Sequence, residues 1–330
     1  MSINSQGSLY AAGSNSTVVH YVLQNGYCNT RCMHCYVLSQ NQKQRKRDCQ
    51  VARRDIGRLL GQGYKVNFRG TEILLDPEFL ELFPLVGQDY IQTNGIELDK
   101  NSGLFEILKK VDIKKIIFTY PSLPENLLGF KKEIVERVVK LSNQHGFRTI
   151  LDYIVTSEVV SSLKQDGGFF KKLVNRLVSI GADELRFVRL IPFSDGLKSL
   201  APSVNDMELV TAKSVRLEAQ YKNSLDVTRA GQFGLYDLRR TLKEKFLGIK
   251  VPPPEESGIM DCAAGKKLFI IDVDNSVYPC LYLMSKDFKM GEFRNGVIEI
   301  DKPKISPSEI HLADCPVASI QNKRIKFREP

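Results

Sequence analysis

Short apolar segments rich in β-branched residues alternate with helical patterns between residues 17 and 200. Segments of this length and composition, bounded by polar or glycine-containing stretches, predict buried strands. The predicted strands are 17–24, 65–68, 89–92, 115–119, 149–155 and 184–191. The predicted helices between them are 48–61, 77–86, 102–111, 125–145 and 168–180. Strands that alternate with helices are expected to be parallel and joined by right-handed crossovers, so the fold class is α/β.

The shape of the sheet stays open at this point, because a doubly wound sheet and a complete or partial barrel share the same pattern. No G-x-G-x-x-G follows the first strand, which disfavours a dinucleotide-binding sheet. A chain of 330 residues with 42% hydrophobic and 26% charged residues has room for one large α/β domain and a small appendage.

Neither a targeting segment nor a membrane span is evident. Residues 1–16 are small and polar, which predicts a flexible tail rather than a signal peptide. No apolar run approaches the roughly 20 residues that cross a bilayer. We therefore expect no membrane association and a cytoplasmic location. The net charge of +9 is compatible with an acidic partner, but scattered basic residues without a nucleic-acid-binding motif argue against nucleic acid.

The seven cysteines are unevenly distributed. Four lie between Cys28 and Cys49, and the other three are Cys262, Cys280 and Cys315. An odd number of cysteines in a chain without an export signal argues against a disulfide framework, because the cytosol keeps thiols reduced. Clustered thiols in a reducing compartment indicate a metal site.

Cys28, Cys32 and Cys35 form a C-x3-C-x2-C pattern within eight residues, directly after the first predicted strand. Thiolates are the usual ligands of iron–sulfur clusters, and three of them leave one iron of a 4Fe–4S cluster open to another molecule. A zinc site is one alternative, with His34 or His20 as its fourth ligand, although the spacing is unusual for zinc. Three purely structural cysteines are the other alternative.

With Tyr36 after the third cysteine, this segment resembles the signature of radical S-adenosylmethionine (SAM) enzymes, which is C-x3-C-x2-C followed by an aromatic residue. Residues 68–72 (Phe-Arg-Gly-Thr-Glu) end the second strand, where that superfamily carries Gly-Gly-Glu. Residues 92–95 (Gln-Thr-Asn-Gly) end the third strand, where it often carries Thr-Asn-Gly. The resemblance covers residues 17–191 and implies a partial (β/α)6 barrel of the TIM type.

The same resemblance implies a SAM-binding site. The open iron would bind the amino and carboxylate groups of the SAM methionine, and Gly70 and Glu72 would contact its ammonium. Thr71 replaces the second glycine of the family motif, so the position of SAM there depends on whether Thr71 adopts the required backbone angles. The other residues matched to the SAM site are Tyr36 beside the adenine, Asn94, Thr119 and Arg189. Arg186 and Arg189 lie three apart on the sixth strand, so only one of them can enter the barrel.

The implied reaction is that of the family. An electron from the reduced cluster cleaves SAM, and the 5′-deoxyadenosyl radical so formed removes a hydrogen atom from the substrate. We expect a flavodoxin- or ferredoxin-type electron donor. The basic run Lys43–Arg47, with Arg53 and Arg54, predicts a docking surface for such an acidic protein or for an acidic peptide leader, or else a solvated surface.

Cys49 belongs to neither group of cysteines. It begins a predicted helix, where a thiol can have a lowered pKa. It is therefore a candidate hydrogen donor to a product radical, and a structural cysteine is the alternative.

The three C-terminal cysteines resemble the ligands of a Twitch or SPASM domain, which holds an auxiliary 4Fe–4S cluster. Cys262-Ala-Ala-Gly265 precedes a predicted hairpin, formed by 267–272 and 277–283, that contains Pro279-Cys280, and Cys315 lies farther along. The few cysteines favour the shorter Twitch version. The fourth ligand is open between substrate, Asp261, His311 and Asp314. The predicted division is a barrel at 17–200, a helical linker region at 201–255 and the auxiliary cluster domain at 256–330.

Two substrate classes fit the resemblance. Relatives with such domains often crosslink, epimerise or oxidise ribosomally made peptides, and others act on aminosugars, cyclitols or nucleotides. The positive charge favours a peptide, whereas only 27 residues precede Cys28, which is short for a leader-binding domain. A non-catalytic iron–sulfur sensor is the alternative from another class, and it has no need of the SAM-binding residue Glu72.

Overall fold

The computed structural model describes residues 17–32, 34–35, 44–123, 125–192, 195–230, 236–248, 264–265, 267–284 and 286–301. The predicted tail at 1–16, Tyr36, Cys262, Cys315 and the alternative ligands Asp261, His311 and Asp314 lie outside the described residues. The strands are, in chain order, β1 (Val18–Asn25), β2 (Arg45–Lys46), β3 (Lys65–Gly70), β4 (Tyr90–Thr93), β5 (Lys115–Tyr120), β6 (Arg148–Val155), β7 (Glu184–Arg189), β8 (Asp226–Arg229), β9 (Leu268–Ile271), β10 (Ser276–Tyr278), β11 (Gly291–Arg294) and β12 (Val297–Ile300).

Helices connect most of the parallel strands. The α-helices are α1 (Cys49–Gly61), α2 (Phe83–Val86), α3 (Ile96–Lys100), α4 (Gly103–Lys110), α5 (Glu125–Leu128), α6 (Lys132–Gln144), α7 (Ser157–Gln165), α8 (Phe169–Ser179), α9 (Asp195–Lys198), α10 (Val204–Tyr221) and α11 (Tyr236–Leu247). Short 3-10 helices occupy Ile73–Leu75, Pro77–Leu82, Leu281–Leu283 and Lys286–Phe288. None of the helices in these ranges is long and apolar enough to cross a membrane.

The strands form two sheets whose central pairings are parallel. In the first sheet the order is β12-β11-β10-β9-β1-β2, and β3 also pairs with β1. β1 runs parallel to both β3 and β9, with Tyr21 opposite Phe68 on one side and Ile271 on the other. The second sheet has the order β4-β5-β6-β7-β8, and every pair in it is parallel. The expectation of an α/β fold built on parallel strands is confirmed.

The two sheets adjoin through hydrogen bonds between β3 and β4. The backbone N–H of Phe68 donates to Gln88 Oε1 at 2.6 Å, and Gln88 Nε2 donates to the carbonyl oxygen of Tyr90 at 3.0 Å. Arg69 also donates to the Tyr90 hydroxyl at 3.0 Å. The buried glutamine therefore joins the edge strands of the two sheets without a regular ladder.

Alternation of side chains explains how each strand contributes to the core. Phe118 of β5, Leu151 of β6 and Phe187 of β7 point to the same face of the second sheet. There they join the main apolar cluster with residues of the covering helices. Their neighbours in the chain, Thr119 and Asp152 among them, point to the opposite face, because successive strand residues alternate. The second sheet thus has one apolar face under the helices and one face with polar residues.

Two elements differ from the sequence-based division into domains. The region 201–255, predicted as a helical linker, also contains β8, which pairs in parallel with β7. The predicted hairpin is present as β9 and β10, with Ile271 opposite Val277. However, β9 lies beside β1, so one sheet continues across the boundary placed at residue 256. The segment Asp226–Arg229 is short and half polar, which is why periodicity did not reveal a strand there.

Candidate functional site

The carboxyl ends of the parallel strands carry a group of polar residues. The loop with Cys28 follows β1, Glu72 follows β3, Asn94 follows β4 and Ser122 follows β5. Ligands in α/β folds bind at this edge, because the loops after the strands converge there while the sheet and helices hold them in place.

The three cysteines of the first loop share one neighbourhood. The Thr30 hydroxyl lies 3.2 Å from Cys28 Sγ and 3.3 Å from Cys32 Sγ. The N–H of Cys35 donates to the carbonyl oxygen of Cys32 at 3.0 Å, which closes a turn. Burial raises the pKa of Cys32 to about 11, and the nearby Cys28 and Cys35 thiols add to this increase. The loop therefore gathers three partly exposed thiols.

His20, a possible zinc ligand by sequence, lies within β1 rather than in the cysteine loop. Among the described residues, no three His, Cys, Asp or Glu side chains converge as the ligands of one metal ion do. His20 is buried in the middle of β1, opposite Asn67, and its Nε2 lies 3.4 Å from Arg69. A 4Fe–4S cluster takes each thiolate on a different iron, so its ligands need not converge on one point.

Glu72 is a buried carboxylate with an exposed fraction of 1%. The Thr93 hydroxyl donates to its Oε1 at 2.8 Å, and the N–H of Asn94 donates to its Oε2 at 3.0 Å. Burial raises the pKa of Glu72 to about 7, although these hydrogen bonds oppose the rise. A carboxyl group in this position is a strong acceptor for a charged or polar donor.

Asn94 connects Glu72 to the cysteine loop. Its side-chain Nδ2 donates to Asn29 Oδ1 at 2.7 Å and lies 3.8 Å from Cys28 Sγ. Its Oδ1 accepts the N–H of Ile96 at 3.0 Å, which fixes the side chain at the start of α3. A continuous set of contacts therefore runs from the Glu72 carboxylate to the first cysteine.

Gly70 and Thr71 support this arrangement from β3. A Cβ on Gly70 would lie 3.0 Å from Ile73 Cγ1 and 3.2 Å from Gln24 Cγ, so the glycine permits close packing. The hydroxyl of Thr71 donates to the carbonyl oxygen of Tyr27, the residue before Cys28. Thr71 has no positive φ, so it needs no glycine-specific backbone angle. The threonine that departs from the family motif thus joins β3 to the cysteine loop.

The candidate SAM-site residues on β5 and β7 do not all lie on the same face of the second sheet. Thr119 is partly buried and lies opposite Asp152 in the register. Arg186 donates to both carboxylate oxygens of Asp152, at 2.6 and 2.9 Å. Arg189 is buried at the end of β7, at the same parity as Phe187, which belongs to the main core. Arg186 therefore shares the polar face of the second sheet with Asp152 and Thr119.

Cys49 and the basic residues Arg45 and Lys46 each lie beside acceptor groups from other parts of the chain. Cys49 Sγ lies 3.8 Å from the carbonyl oxygen of Glu78, and its pKa is raised by burial and by nearby carboxylates, Glu78 among them. The lowered pKa expected at a helix start is therefore wrong. Within the basic run, Arg45 pairs with Asp274 at 3.1 Å, and Lys46 pairs with Asp76 at 3.0 Å.

Arg47 is buried rather than available to a partner. Its guanidinium lies 4.1 Å above the Tyr21 ring and donates to the Val22 carbonyl oxygen at 2.9 Å and to Asn275 Oδ1 at 2.8 Å. It also donates to the carbonyl oxygen of Asp272. Arg45 and Arg47 therefore hold the turn between β9 and β10 against β1, while Arg45, Lys46 and Arg54 keep exposed surface.

Cys280 is the C-terminal cysteine that the structure describes. It is partly exposed and packs with Leu283 against Ile191, which lies just beyond β7. The C-terminal hairpin thus brings Cys280 to the carboxyl end of the second sheet.

Comparison with known proteins gives a consistent picture of the fold. No protein-family model matches the chain, and no curated protein does. Streptococcus suis SuiB bound to S-adenosylmethionine superimposes with a TM-score of 0.61 at 16% identity, over 83% of this chain and 62% of SuiB. SuiB bound to the precursor peptide SuiA superimposes with a TM-score of 0.60 at 15% identity, over 95% of this chain and 68% of SuiB. The protein anSMEcpe with bound AdoMet superimposes with a TM-score of 0.58 at 18% identity, over 84% of this chain and 77% of anSMEcpe.

This chain has the fold of radical SAM enzymes. The present chain spans less than two thirds of the length of SuiB in its SAM-bound structure. The residues at the carboxyl edge of this fold fit the two groups that a radical SAM site would hold, which are a 4Fe–4S cluster and SAM. Three thiols suit a cluster, and the described residues leave three buried polar atoms without a partner there: Gln24 Oε1, His34 Nδ1 and Ser122 Oγ. Because buried polar atoms are normally paired, these atoms indicate a polar ligand.

Sequence reasoning missed three residues of this edge. Gln24, Asn29 and Ser122 lie outside the matched motifs, and each becomes visible through a contact or an unpaired atom. A buried glutamine near the end of β1 was the one available signal, since a polar residue in a buried strand requires a partner.

Proposed function

We propose that this chain is a radical SAM enzyme in which Cys28, Cys32 and Cys35 hold a 4Fe–4S cluster and the adjoining residues bind SAM. The observation that carries the proposal is the connection from Glu72 through Asn94 to Cys28. It puts a buried carboxylate, suited to the amine of SAM, within one residue of a thiol suited to iron. A structural cysteine loop has no need of this carboxylate.

When bound, the cluster and SAM supply a 5′-deoxyadenosyl radical that removes a hydrogen atom from the substrate. The residues of the chain bind and orient these groups. Glu72 accepts a hydrogen bond from the methionyl amine, while Asn94 keeps the carboxylate in place. Gly70 and Thr71 hold the backbone of that segment against the cysteine loop. The remaining proposed SAM contacts are Tyr36, Thr119 and Arg189, the last of which would act from the carboxyl end of β7.

We propose a partial (β/α)6 barrel made of β1, β3, β4, β5, β6 and β7. The parallel pairings on each side of the β3–β4 junction support this arrangement. Cys262, Cys280 and Cys315 are proposed as ligands of an auxiliary 4Fe–4S cluster of the Twitch type. The packing of Cys280 against Ile191 supports a position near the carboxyl ends of the strands.

The proposed substrate is a ribosomally made peptide that the enzyme crosslinks, epimerises or oxidises. SuiB was solved with its precursor peptide SuiA, and anSMEcpe was solved with the Cp18Cys peptide. The net charge of +9 suits an acidic peptide. A flavodoxin- or ferredoxin-type protein is the proposed electron donor, and a reducing compartment such as the cytoplasm suits free thiolate ligands.

The experiment that tests the proposal is SAM cleavage by anaerobically reconstituted, chemically reduced protein. We expect 5′-deoxyadenosine and methionine, formed slowly without substrate and faster with the right peptide. The matched control is the variant with Cys28, Cys32 and Cys35 all changed to Ala, which should form neither product. Cluster-loaded protein that binds no SAM and forms no 5′-deoxyadenosine would contradict the proposal.

A further inference from the structure

Gln24 is a buried side chain at the carboxyl end of β1, four residues before Cys28. It has no exposed surface. Its Nε2 donates a 2.5 Å hydrogen bond to the backbone carbonyl oxygen of Glu72, and its Cγ would lie 3.2 Å from a Cβ on Gly70. The side chain therefore packs directly against the segment that carries the Glu72 carboxylate.

The amide oxygen of Gln24 has no hydrogen-bond donor among the residues that the structure describes. An unsatisfied acceptor in the interior is unfavourable, and apolar residues of similar size would avoid that cost. The amide nitrogen is bonded and fixes which way the side chain lies. A ligand that brings an N–H group to this point would complete the hydrogen bonding of the amide.

We propose that Gln24 is a further SAM-binding residue, whose Oε1 accepts an N–H of the methionyl amine. The inference rests on the proposed function and adds a residue to it. Glu72 and Gln24 then form two acceptors for one amine: Glu72 supplies a carboxylate, and Gln24 supplies a neutral oxygen that adds no further negative charge to a buried position. The bond from Gln24 to the Glu72 carbonyl ties the Gln24 side chain to the residue that carries the carboxylate.

Gln88 provides a matched control. It is also a buried glutamine, with an exposed fraction of 6%, and it also bonds to the backbone of the strands. Both ends of its amide are satisfied, by Phe68 N–H and by the Tyr90 carbonyl oxygen. It precedes β4, at the amino end of that strand, whereas Glu72 follows the carboxyl end of β3.

The test is the dissociation constant of SAM, measured by equilibrium binding to cluster-loaded protein, for the variants Gln24→Met, Gln24→Glu and Gln88→Met. Methionine has nearly the shape of glutamine but no amide, so we expect Gln24→Met to weaken SAM binding about tenfold. Glutamate keeps an acceptor oxygen but loses the donor to the Glu72 carbonyl, so Gln24→Glu should bind SAM more weakly than the wild type and more tightly than Gln24→Met. Gln88→Met should leave the affinity unchanged.

Each variant must first contain the iron of the wild type. If Gln24→Met binds SAM as tightly as the wild type, the inference is wrong. Equal losses in Gln24→Met and Gln24→Glu would also overturn it, because they would mean that the amide acts only through the Glu72 carbonyl. Failure of the wild type itself to bind SAM would instead contradict the proposed function, so the two results are distinguishable.

Discussion

The backbone N–H of Asn94 donates a 3.0 Å hydrogen bond to the carboxylate of Glu72. The side chain of the same asparagine donates to Asn29, the residue after Cys28. The end of β4 therefore fixes both the buried acid after β3 and the cysteine loop after β1. Because β1 and β3 belong to one sheet and β4 belongs to the other, the arrangement depends on how the two sheets adjoin.

Changing Glu72 to Ala should weaken SAM binding by about tenfold or more, because it removes a charge-assisted hydrogen bond and no iron ligand. Iron content should not change. Glu136→Ala is the control, since Glu136 is also buried but pairs with Arg176 and Tyr120. Equilibrium binding of SAM checks the prediction. Wild-type affinity in Glu72→Ala would exclude the proposed contact.

Replacement of Cys28, Cys32 and Cys35 together by Ala should lower the iron content from about eight to about four per chain, because one of two 4Fe–4S clusters is lost. Cys49→Ala should retain about eight, since this thiol belongs to neither proposed ligand set. Iron analysis with electron paramagnetic resonance of the reduced protein provides the measurement. Stoichiometric zinc in place of iron would disprove both clusters.

Changing Cys280 to Ala should remove the auxiliary cluster and abolish turnover of the true substrate, while SAM cleavage without substrate continues. The reason is that Cys280 packs against Ile191 and Leu283, whereas Glu72 and Cys28 are connected through Asn94. Chromatographic detection of 5′-deoxyadenosine distinguishes the two activities. The two sites would not be separable if its formation stopped in folded Cys280→Ala protein with the first cluster loaded.

Arg47→Ala should destabilise the fold by about 3 kcal/mol, because the change leaves buried carbonyl oxygens without their donor. The affected acceptors include the carbonyl oxygens of Val22 and Asp272. Arg45→Ala should change the stability little, since its exposed pair with Asp274 is screened by water. The free energy of unfolding in urea tests this comparison. A similar effect of both changes would argue against Arg47 as the link between the hairpin and β1.

Asp272→Asn should remove a pH dependence of stability. Burial raises the pKa of Asp272 from 3.8 to about 6, although the Val273 N–H and Arg47 oppose the rise. The folded state therefore holds this proton more tightly than the unfolded chain. The contribution of Asp272 to stability is complete below pH 3.8 and is lost as the pH rises through about 6.

The free energy of unfolding of the wild type, relative to Asp272→Asn, should thus fall between pH 4 and pH 6 and stay level above pH 7. The measurement uses protein prepared without iron, because acid dissolves iron–sulfur clusters. A relative stability that rises with pH over this interval would show that Asp272 is stabilised as the carboxylate instead.

Several features could be predicted from the sequence because they depend on nearby residues. The strand with Tyr21 and Leu23 shows its apolar pattern within eight residues, and Asp48 caps α1 by accepting the N–H of Val51 at 2.9 Å. The Asp274-Asn275 turn is likewise local, with Asn275 at a φ of 68°, a value that asparagine tolerates. The spacing of Cys28, Cys32 and Cys35 is also a local feature, because the three cysteines lie within eight residues.

The remaining features depend on residues that are far apart in the chain. The pairing of β9 with β1 joins segments about 250 residues apart, and no local pattern indicates which strand a hairpin will adjoin. Arg47 reads as part of a basic surface run, yet its burial depends on Tyr21 from β1 and Asn275 from the hairpin. The sequence by itself determined the strands β1 and β3 to β7, the cap of α1 and the spacing of the cysteine loop, because short-range sterics and side-chain periodicity specify them. Only the tertiary structure decided that Asn94 and Gln24 both contact Glu72, because these contacts exist only after strands of the two sheets have packed side by side.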